Sequence, residues 1–397
     1  MNRLTLGEIL RARPALPSMP APHRRVLDLL GDCGTGKLGW SLWQCQECPG
    51  RESHPLGCGN RHCPQCQHRL SQAWLERQKE ALLPVRYYHW VFTLPAHVRP
   101  LALQNPKAIY DLLFDAASQT LLQFGRQDYD AELGLTAILH TWGQTLVHHP
   151  HLHLIVTGGG LSKEGWKGPG KRRWLFDVRP VSLVFGGKFR DGLRVLFGSG
   201  RLEFHGQLAG LAEPVTFAKW LGELSSQRWV VFAKGSVAGP ESVLQYLGRY
   251  THRVALSNGR LIRHHPKAGT ITFSYRDYAK AGEKKEMTLS EEEFFRRFLM
   301  HVLPAGFTKI RHYGLLANHR RKRLLPLARA ALENSPDQWK PRKRTEKAET
   351  TTVSGLQCSC CKGTRLRCIG RSDARGKITL FSLKVVVEMG RGPPEVP

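Results

Sequence analysis

Ten cysteines fall in two groups, six between Cys33 and Cys66 and four between Cys358 and Cys368, and the 291 residues between the groups hold none. Cys45 and Cys48 form one Cys-x-x-Cys knuckle, and Cys63 and Cys66 form another 14 residues on. Each knuckle bends the backbone so that two thiolates can meet one tetrahedral Zn(II), and two knuckles close a structural site with no open position. So short a segment cannot build a hydrophobic core, so the ion takes its place. The expected zinc site is therefore Cys45, Cys48, Cys63 and Cys66. Cys33, Cys58, His54 and His62 are left over; a second metal or exchange with a knuckle cysteine is open to them, and the favoured reading is buried thiols and polar surface. Cys358 and Cys361 have knuckle spacing but no well-spaced partner pair follows, which leaves a degenerate knuckle or free thiols. Residues Met1 to Arg25 are rich in Pro and Arg and lack an apolar signal core. A cytoplasmic location is expected, where metal ligation is favoured over disulfides.

Charge limits the partner. Lys and Arg total 59 against 32 for Asp and Glu, a formal charge of +27 over 397 residues. Such an excess repels itself unless a polyanion neutralises it, and phosphate backbones bind basic surfaces through counterion release. Nucleic acid is the expected partner, with an acidic membrane surface ranked well below it. No apolar span approaches the length of a membrane helix, so no membrane association is expected.

The length suggests two or three domains. The cysteine split marks three regions: 1–84, a zinc-binding region ending in a helix over His68–Leu83; 85–317, a mixed region; and 318–397, a basic tail. In the mixed region Tyr88–Leu94, Leu135–Leu139, His151–Thr157, Trp229–Ala233 and Thr270–Tyr275 read as strands. Lys107–Phe124 reads as a helix, with Ile109, Leu112, Leu113 and Ala116 at helical spacing. The mixture implies a layered α+β or α/β domain. Glu346–Ser354 reads as a linker.

The segment His148-His149-Pro150-His151-Leu152-His153-Leu154-Ile155-Val156-Thr157 carries the most chemistry. Alternate side chains of a strand share a face. His151 and His153 then point one way, and Leu152, Leu154 and Val156 the other, toward a core. Two imidazoles on one strand face can chelate a divalent ion with a rigid bite. A third ligand is expected at Gln144, whose amide oxygen is a hard donor, with His140 and His149 competing for the role. Glycines 158 to 160 are expected to end the strand and allow close backbone approach.

Gly239–Tyr250 (GPESVLQYLGRY) reads as a helix, with Pro240 and Glu241 suited to its first turn. Val243, Leu244 and Leu247 form an apolar face. Tyr246 and Tyr250 lie one turn apart, with Tyr246 directed away from that face and Tyr250 nearer its edge. Arg249 and Arg253 add the positive charge that a phosphate site needs. Paired tyrosines at this spacing are common in cores; the histidine strand in a very basic chain is what makes them candidate nucleophiles.

The chain resembles the HUH endonucleases, and among them the two-tyrosine rolling-circle transposases of the insertion sequence 91 family. The resemblance rests on CGNRHCPQC (58–66), VFTLP (91–95), HTWGQTLVHHPHLHLIVTGGGL (140–161), YLGRYTHRVALSN (246–258) and FLMHVLPAGFTKIRHYGLLAN (298–318), in this order. It implies an α+β fold, a central antiparallel sheet flanked by helices, with an N-terminal zinc-binding domain. It implies that Phe92-Thr93-Leu94 is structural, that His151 and His153 hold catalytic Mg or Mn, and that Tyr246 and Tyr250 are the nucleophiles. The reaction it implies is cleavage and rejoining of single-stranded DNA at transposon ends and target through a 5′-phosphotyrosine. A replication initiator or relaxase would use the same chemistry on another substrate. A non-catalytic zinc-finger protein would need the zinc and the basic surface but neither tyrosine.

Overall fold

The computed structural model describes residues 4–13, 19–170, 172–237, 243, 248, 251–333, 335–339 and 357–381. The chain divides into two compact units, each assembled from separated stretches. One comprises 1–73, 252–295 and 343–397; the other comprises 74–251 and 296–342. These limits differ from the consecutive division expected at Pro84 and Ala317. Strand pairing between distant segments sets the units, and local composition carries no sign of it.

The larger unit is built on an antiparallel sheet. Its strands are β3 (Tyr87–Thr93), β4 (Glu132–Trp142), β5 (His148–Ser162), β6 (Gly165–Lys167), β7 (Val230–Val237) and β11 (Ile310–Gly314). The order is β11-β4-β5-β3-β7, with β6 paired to β5. Alternation along β4 and β5 divides the two faces. Leu133, Leu135, Ala137, Leu139, Leu152, Leu154 and Val156 enter one apolar cluster, whereas Ile138 and Ile155 enter another.

Helices cover both faces. The first cluster is closed by α4 (Arg99–Gln104), α5 (Pro106–Tyr129), α6 (Val178–Gly198) and α7 (Pro214–Ser226). In α5, Pro106 sits in the first turn and Ile109, Leu113, Ala116, Ala117 and Leu121 form the buried stripe. The helix stops where Asp130 turns left-handed at φ 48° and its N–H caps the Arg126 carbonyl. The second cluster is closed by Trp74 and Leu75, from the end of α3 (Pro64–Lys79), and by Leu324, Leu325, Ala328 and Leu332 of Arg321–Leu332.

Glycines 158 to 160 do not end β5, which continues to Ser162. They lie where neighbouring backbone crowds the strand: a Cβ on Gly158 would come within 2.8 Å of the Arg86 carbonyl, and one on Gly160 would run into the Glu132 backbone. The close approach expected of them is present, inside the sheet rather than beyond it.

Among the described residues, the smaller unit holds two sheets. One has the order β13-β12-β1-β2, from β1 (Trp40–Cys45), β2 (Arg51–Pro55), β12 (Leu366–Ser372) and β13 (Ile378–Leu380). The other is the meander β8 (Leu261–His265), β9 (Thr270–Asp277) and β10 (Glu283–Ser290). Helices α1 (Leu6–Ala12) and α2 (Ala21–Asp32) pack together, and α1 opens on a capping box between Thr5 and Glu8. The described residues form an α+β fold in which every strand pair is antiparallel. Among the described residues, no helix is long and apolar enough to cross a membrane.

Candidate functional site

Strand register assembles the histidines. His140 of β4 lies opposite His151 of β5, and Ile138 lies opposite His153. On the other side of β5, Thr93 and Val91 of β3 lie opposite His151 and His153, and His89 lies opposite Ile155, two residues along from His153. His140, His151 and His153 each bring a ring nitrogen to within 4.8 Å of the others. The ring centroids lie 4.6 Å apart for His140 and His153, 5.4 Å for His140 and His151, and 5.0 Å for His151 and His153.

Two hydrogen bonds orient this cluster. The Nδ1–H of His151 donates to the His149 carbonyl at 2.7 Å. Nδ1 of His153 pairs with Nε2 of His89 at 2.9 Å, with the two rings stacked. When a ligating imidazole donates through one nitrogen, the other keeps its lone pair for the metal. His89 is buried and sits opposite Lys234, and burial first, then that charge, push it down to about 3, so it is neutral. As a neutral acceptor it suits the Nδ1–H form of His153, in which Nε2 carries the lone pair that a metal would take.

The third imidazole of the cluster is His140. Gln144, expected as the third ligand, lies half-buried in the turn between β4 and β5, where Gly143 N–H bonds the Val147 carbonyl. The hairpin register places His140 directly across from His151, an alignment that counting residues back from the histidine pair could not give. His149, the other competitor, pairs through Nδ1 with an Arg99 guanidinium at 2.9 Å. Burial, then that arginine, hold His149 near 4.

Tyr246, Tyr250 and Arg249 lie outside the described residues. Of their neighbours, Val243 and Gly248 are helical, and Val243 is fully buried in the second apolar cluster. Arg253 is exposed and belongs to the smaller unit.

The cysteines are sorted differently from the expectation. Cys63 and Cys66 meet Cys33 and Cys58, while Cys45 and Cys48 meet Cys358 and Cys361. The reason is the β1–β2 hairpin. Cys45 and Cys48 stand at its tip, and Cys58 follows β2 at its base, so a five-residue strand of about 16 Å separates them. One ion cannot bridge that distance. Two short strands flanking a Cys-x-x-Cys, WSLWQC and RESHP, were the available signal for a knuckle at a hairpin tip.

In the first cluster Cys33 ends α2, and Cys63 and Cys66 open α3. The Sγ separations are 3.5 Å for Cys33–Cys63, 3.6 Å for Cys33–Cys66 and 3.8 Å for Cys58–Cys66. Four sulfurs at about 2.3 Å from a tetrahedral zinc stand about 3.8 Å apart. The Cys58 and Gly59 amides donate to the Cys33 and Cys66 sulfurs at 3.4 and 3.3 Å, as amides do to thiolates. Hydrogen bonds from Cys58, Cys63 and Cys66 hold the Cys33 thiol far below its ordinary range. These residues fit a structural zinc.

A family model described as "Transposase zinc-binding domain" matches residues 7–94, and one described as "Putative transposase" matches 134–323. The chain is 41% identical over 363 residues to "Putative transposase y4qJ" of Sinorhizobium fredii, covering 89% of this chain and 90% of that protein. It is 29% identical over 310 residues to "Transposase for insertion sequence element IS801" of Pseudomonas savastanoi pv. phaseolicola, covering 76% of this chain and 72% of that one. No solved structure matches significantly. With matches over both its cysteine-rich and its histidine-bearing parts, the chain belongs to the insertion sequence 91 family of transposases, enzymes acting on DNA, and carries that family's N-terminal zinc-binding domain.

Proposed function

We propose that this transposase nicks and rejoins single-stranded DNA at transposon ends through a 5′-phosphotyrosine, in rolling-circle transposition. The observation that carries the proposal is the cluster of His140, His151 and His153, with the Nδ1 atoms of His151 and His153 already engaged. His151 and His153 hold a divalent ion together with His140, and Gln144 in the adjoining turn is the candidate oxygen donor. Imidazoles favour Mn over Mg, while phosphate chemistry commonly uses either. Such an ion supplies electrostatic stabilisation to a non-bridging oxygen of the scissile phosphate.

Tyr246 and Tyr250 are the proposed nucleophiles. A tyrosine phenolate attacks phosphorus, the P–O3′ bond breaks, and the 3′ oxygen leaves as a hydroxyl after taking a proton. The 5′ phosphate stays on the tyrosine. Attack by another 3′-hydroxyl restores a phosphodiester and frees the tyrosine, so joining needs no ATP. A phenol titrates near about 10, so deprotonation needs nearby positive charge, the role proposed for Arg249 and Arg253. The first cysteine cluster holds zinc and braces a surface that grips element-end DNA.

Labelled single-stranded element ends, incubated with the protein and Mn and run on a denaturing gel, test this. A slow-migrating adduct lost in the Tyr246→Phe/Tyr250→Phe and His151→Ala/His153→Ala variants is the expected result. Cleavage without an adduct would replace it with hydrolysis by water. Adducts on a plasmid origin but not on element ends would favour a replication initiator or relaxase, and binding alone a non-catalytic zinc-finger protein.

A further inference from the structure

Cys45, Cys48, Cys358 and Cys361 stand with their sulfurs all within 4.8 Å of one another. Cys45 and Cys361 are 3.6 Å apart, as are Cys48 and Cys358. A disulfide requires about 2.0 Å, whereas four thiolates around zinc require about 3.8 Å. The zinc-binding family match ends at residue 94, far short of Cys358.

The two halves of the cluster repeat one design. Each is a Cys-x-x-Cys with a glycine two residues on, Gly50 in one and Gly363 in the other. A Cβ on Gly50 would press to 2.9 Å of the Cys358 sulfur and 3.1 Å of the Cys48 sulfur; one on Gly363 would reach 3.1 Å from Cys361 and collide with the Glu47 carboxylate. The Glu47 and Gly50 amides donate to the Cys45 and Cys48 sulfurs at 3.3 and 3.4 Å. In the other knuckle, Lys362 adopts φ 58°, its N–H bonds the Cys358 carbonyl at 3.0 Å, and the Cys358 N–H bonds the Gly363 carbonyl at 2.9 Å. Strand pairing holds the knuckles face to face: Cys45 lies opposite Leu366, and Gln46 N–H bonds the Arg365 carbonyl at 2.9 Å.

We propose that these four cysteines bind a second structural zinc, shared between two knuckles more than 300 residues apart, which staples β12 to β1. The chain then carries two zinc ions. Cys360, exposed and outside the group, takes no part.

Metal analysis of the full-length protein is expected to give two zinc ions per chain, falling to one in Cys358→Ser/Cys361→Ser and to one in Cys33→Ser/Cys63→Ser. The wild-type protein supplies a test that survives misfolding of either variant. In timed alkylation read by mass spectrometry, Cys360 is expected to react at once. Cys45, Cys48, Cys358 and Cys361 are expected to stay protected until a chelator is added, then to react together. One zinc per chain with Cys358 and Cys361 reacting as fast as Cys360 would overturn the proposal, as would a disulfide joining the two knuckles.

Discussion

Replacing His89 by leucine tests how the metal cluster is oriented. His89 and His153 are 3% and 8% exposed, and their 2.9 Å hydrogen bond crosses from β3 to β5. Without metal, a His153 that has lost the His89 hydrogen bond can carry its proton on Nε2. Metal binding through Nε2 puts the proton on Nδ1, buried and facing an apolar leucine in place of the His89 acceptor. That penalty is about 1–3 kcal/mol, or roughly 5- to 150-fold in affinity. Loss of an outer partner of a ligating histidine elsewhere costs about 10- to 100-fold, the same range. Mn binding followed by electron paramagnetic resonance is expected to show this weakening in His89→Leu. His89→Gln, whose amide oxygen can accept the Nδ1–H, is expected to stay within about threefold of wild type if the weakening comes from the lost hydrogen bond. Melting of the metal-free proteins separates this effect from general destabilisation. Equal Mn affinity in His89→Leu and wild type would refute the reasoning, and equal loss in both variants would show that ring packing matters rather than the hydrogen bond.

Three further outcomes follow from the packing. Burial holds His301 and His312 near 4, below the ordinary value of about 6.5, so the unfolded chain binds more protons between those limits. Their stabilisation is full above pH 6.5 and is lost as pH falls toward 4, by about 1.4 kcal/mol per pH unit per histidine; denaturant unfolding at pH 7, 6 and 5 should show a slope to which His89, His148 and His149, likewise held low by burial, also contribute, and His312→Gln should reduce it by one proton's worth. Gly160→Ala drives a methyl into the Glu132 backbone across a paired strand and is expected to cost about 1–3 kcal/mol, seen as a lower melting temperature. Gly187→Ala, within Val178–Gly198 where an added Cβ meets nothing within 4 Å, is expected to stabilise by up to about 1 kcal/mol.

The sequence was most readable where a period coincides with a face. Strands β3, β4, β5, β7 and β9 and helix α5 appear where alternation or helical spacing placed them; β4, β5, β9 and α5 run longer, β3 is shifted back by one residue, and β7 starts one residue later and runs on to Val237. The separation of His151 and His153 from Leu152, Leu154 and Val156 is as the period of two requires. Helix α6 carries the same signal: Val181, Phe185, Phe189, Leu193 and Leu196 recur at spacings of four and three. His140 depended on hairpin register, and Cys33 and Cys58 on the direction in which a hairpin points. The pairing of Cys45 and Cys48 with Cys358 and Cys361 was not legible, because nothing local to either knuckle names a partner so distant. Arg320 to Arg323, expected to begin a basic tail, instead lead into Arg321–Leu332, whose Leu324, Leu325 and Leu332 are core. The linker at 346–354 lies outside the described residues.

The pairing of β1 with β12 also sets a timetable for biogenesis. Cys33, Cys58, Cys63 and Cys66 leave the ribosome close together, so their cluster can close early. Cys361 follows Cys45 by 316 residues, which at about 5–20 residues per second is roughly 15–60 s of translation. Throughout that interval β1 and β2 are a lone two-stranded hairpin, marginal in water, with one long edge unpaired. Nascent chains are therefore expected to depend on chaperone shielding of Trp40–Cys45, and a ribosome stalled before Leu366 would hold a product whose larger unit can fold while its smaller unit waits.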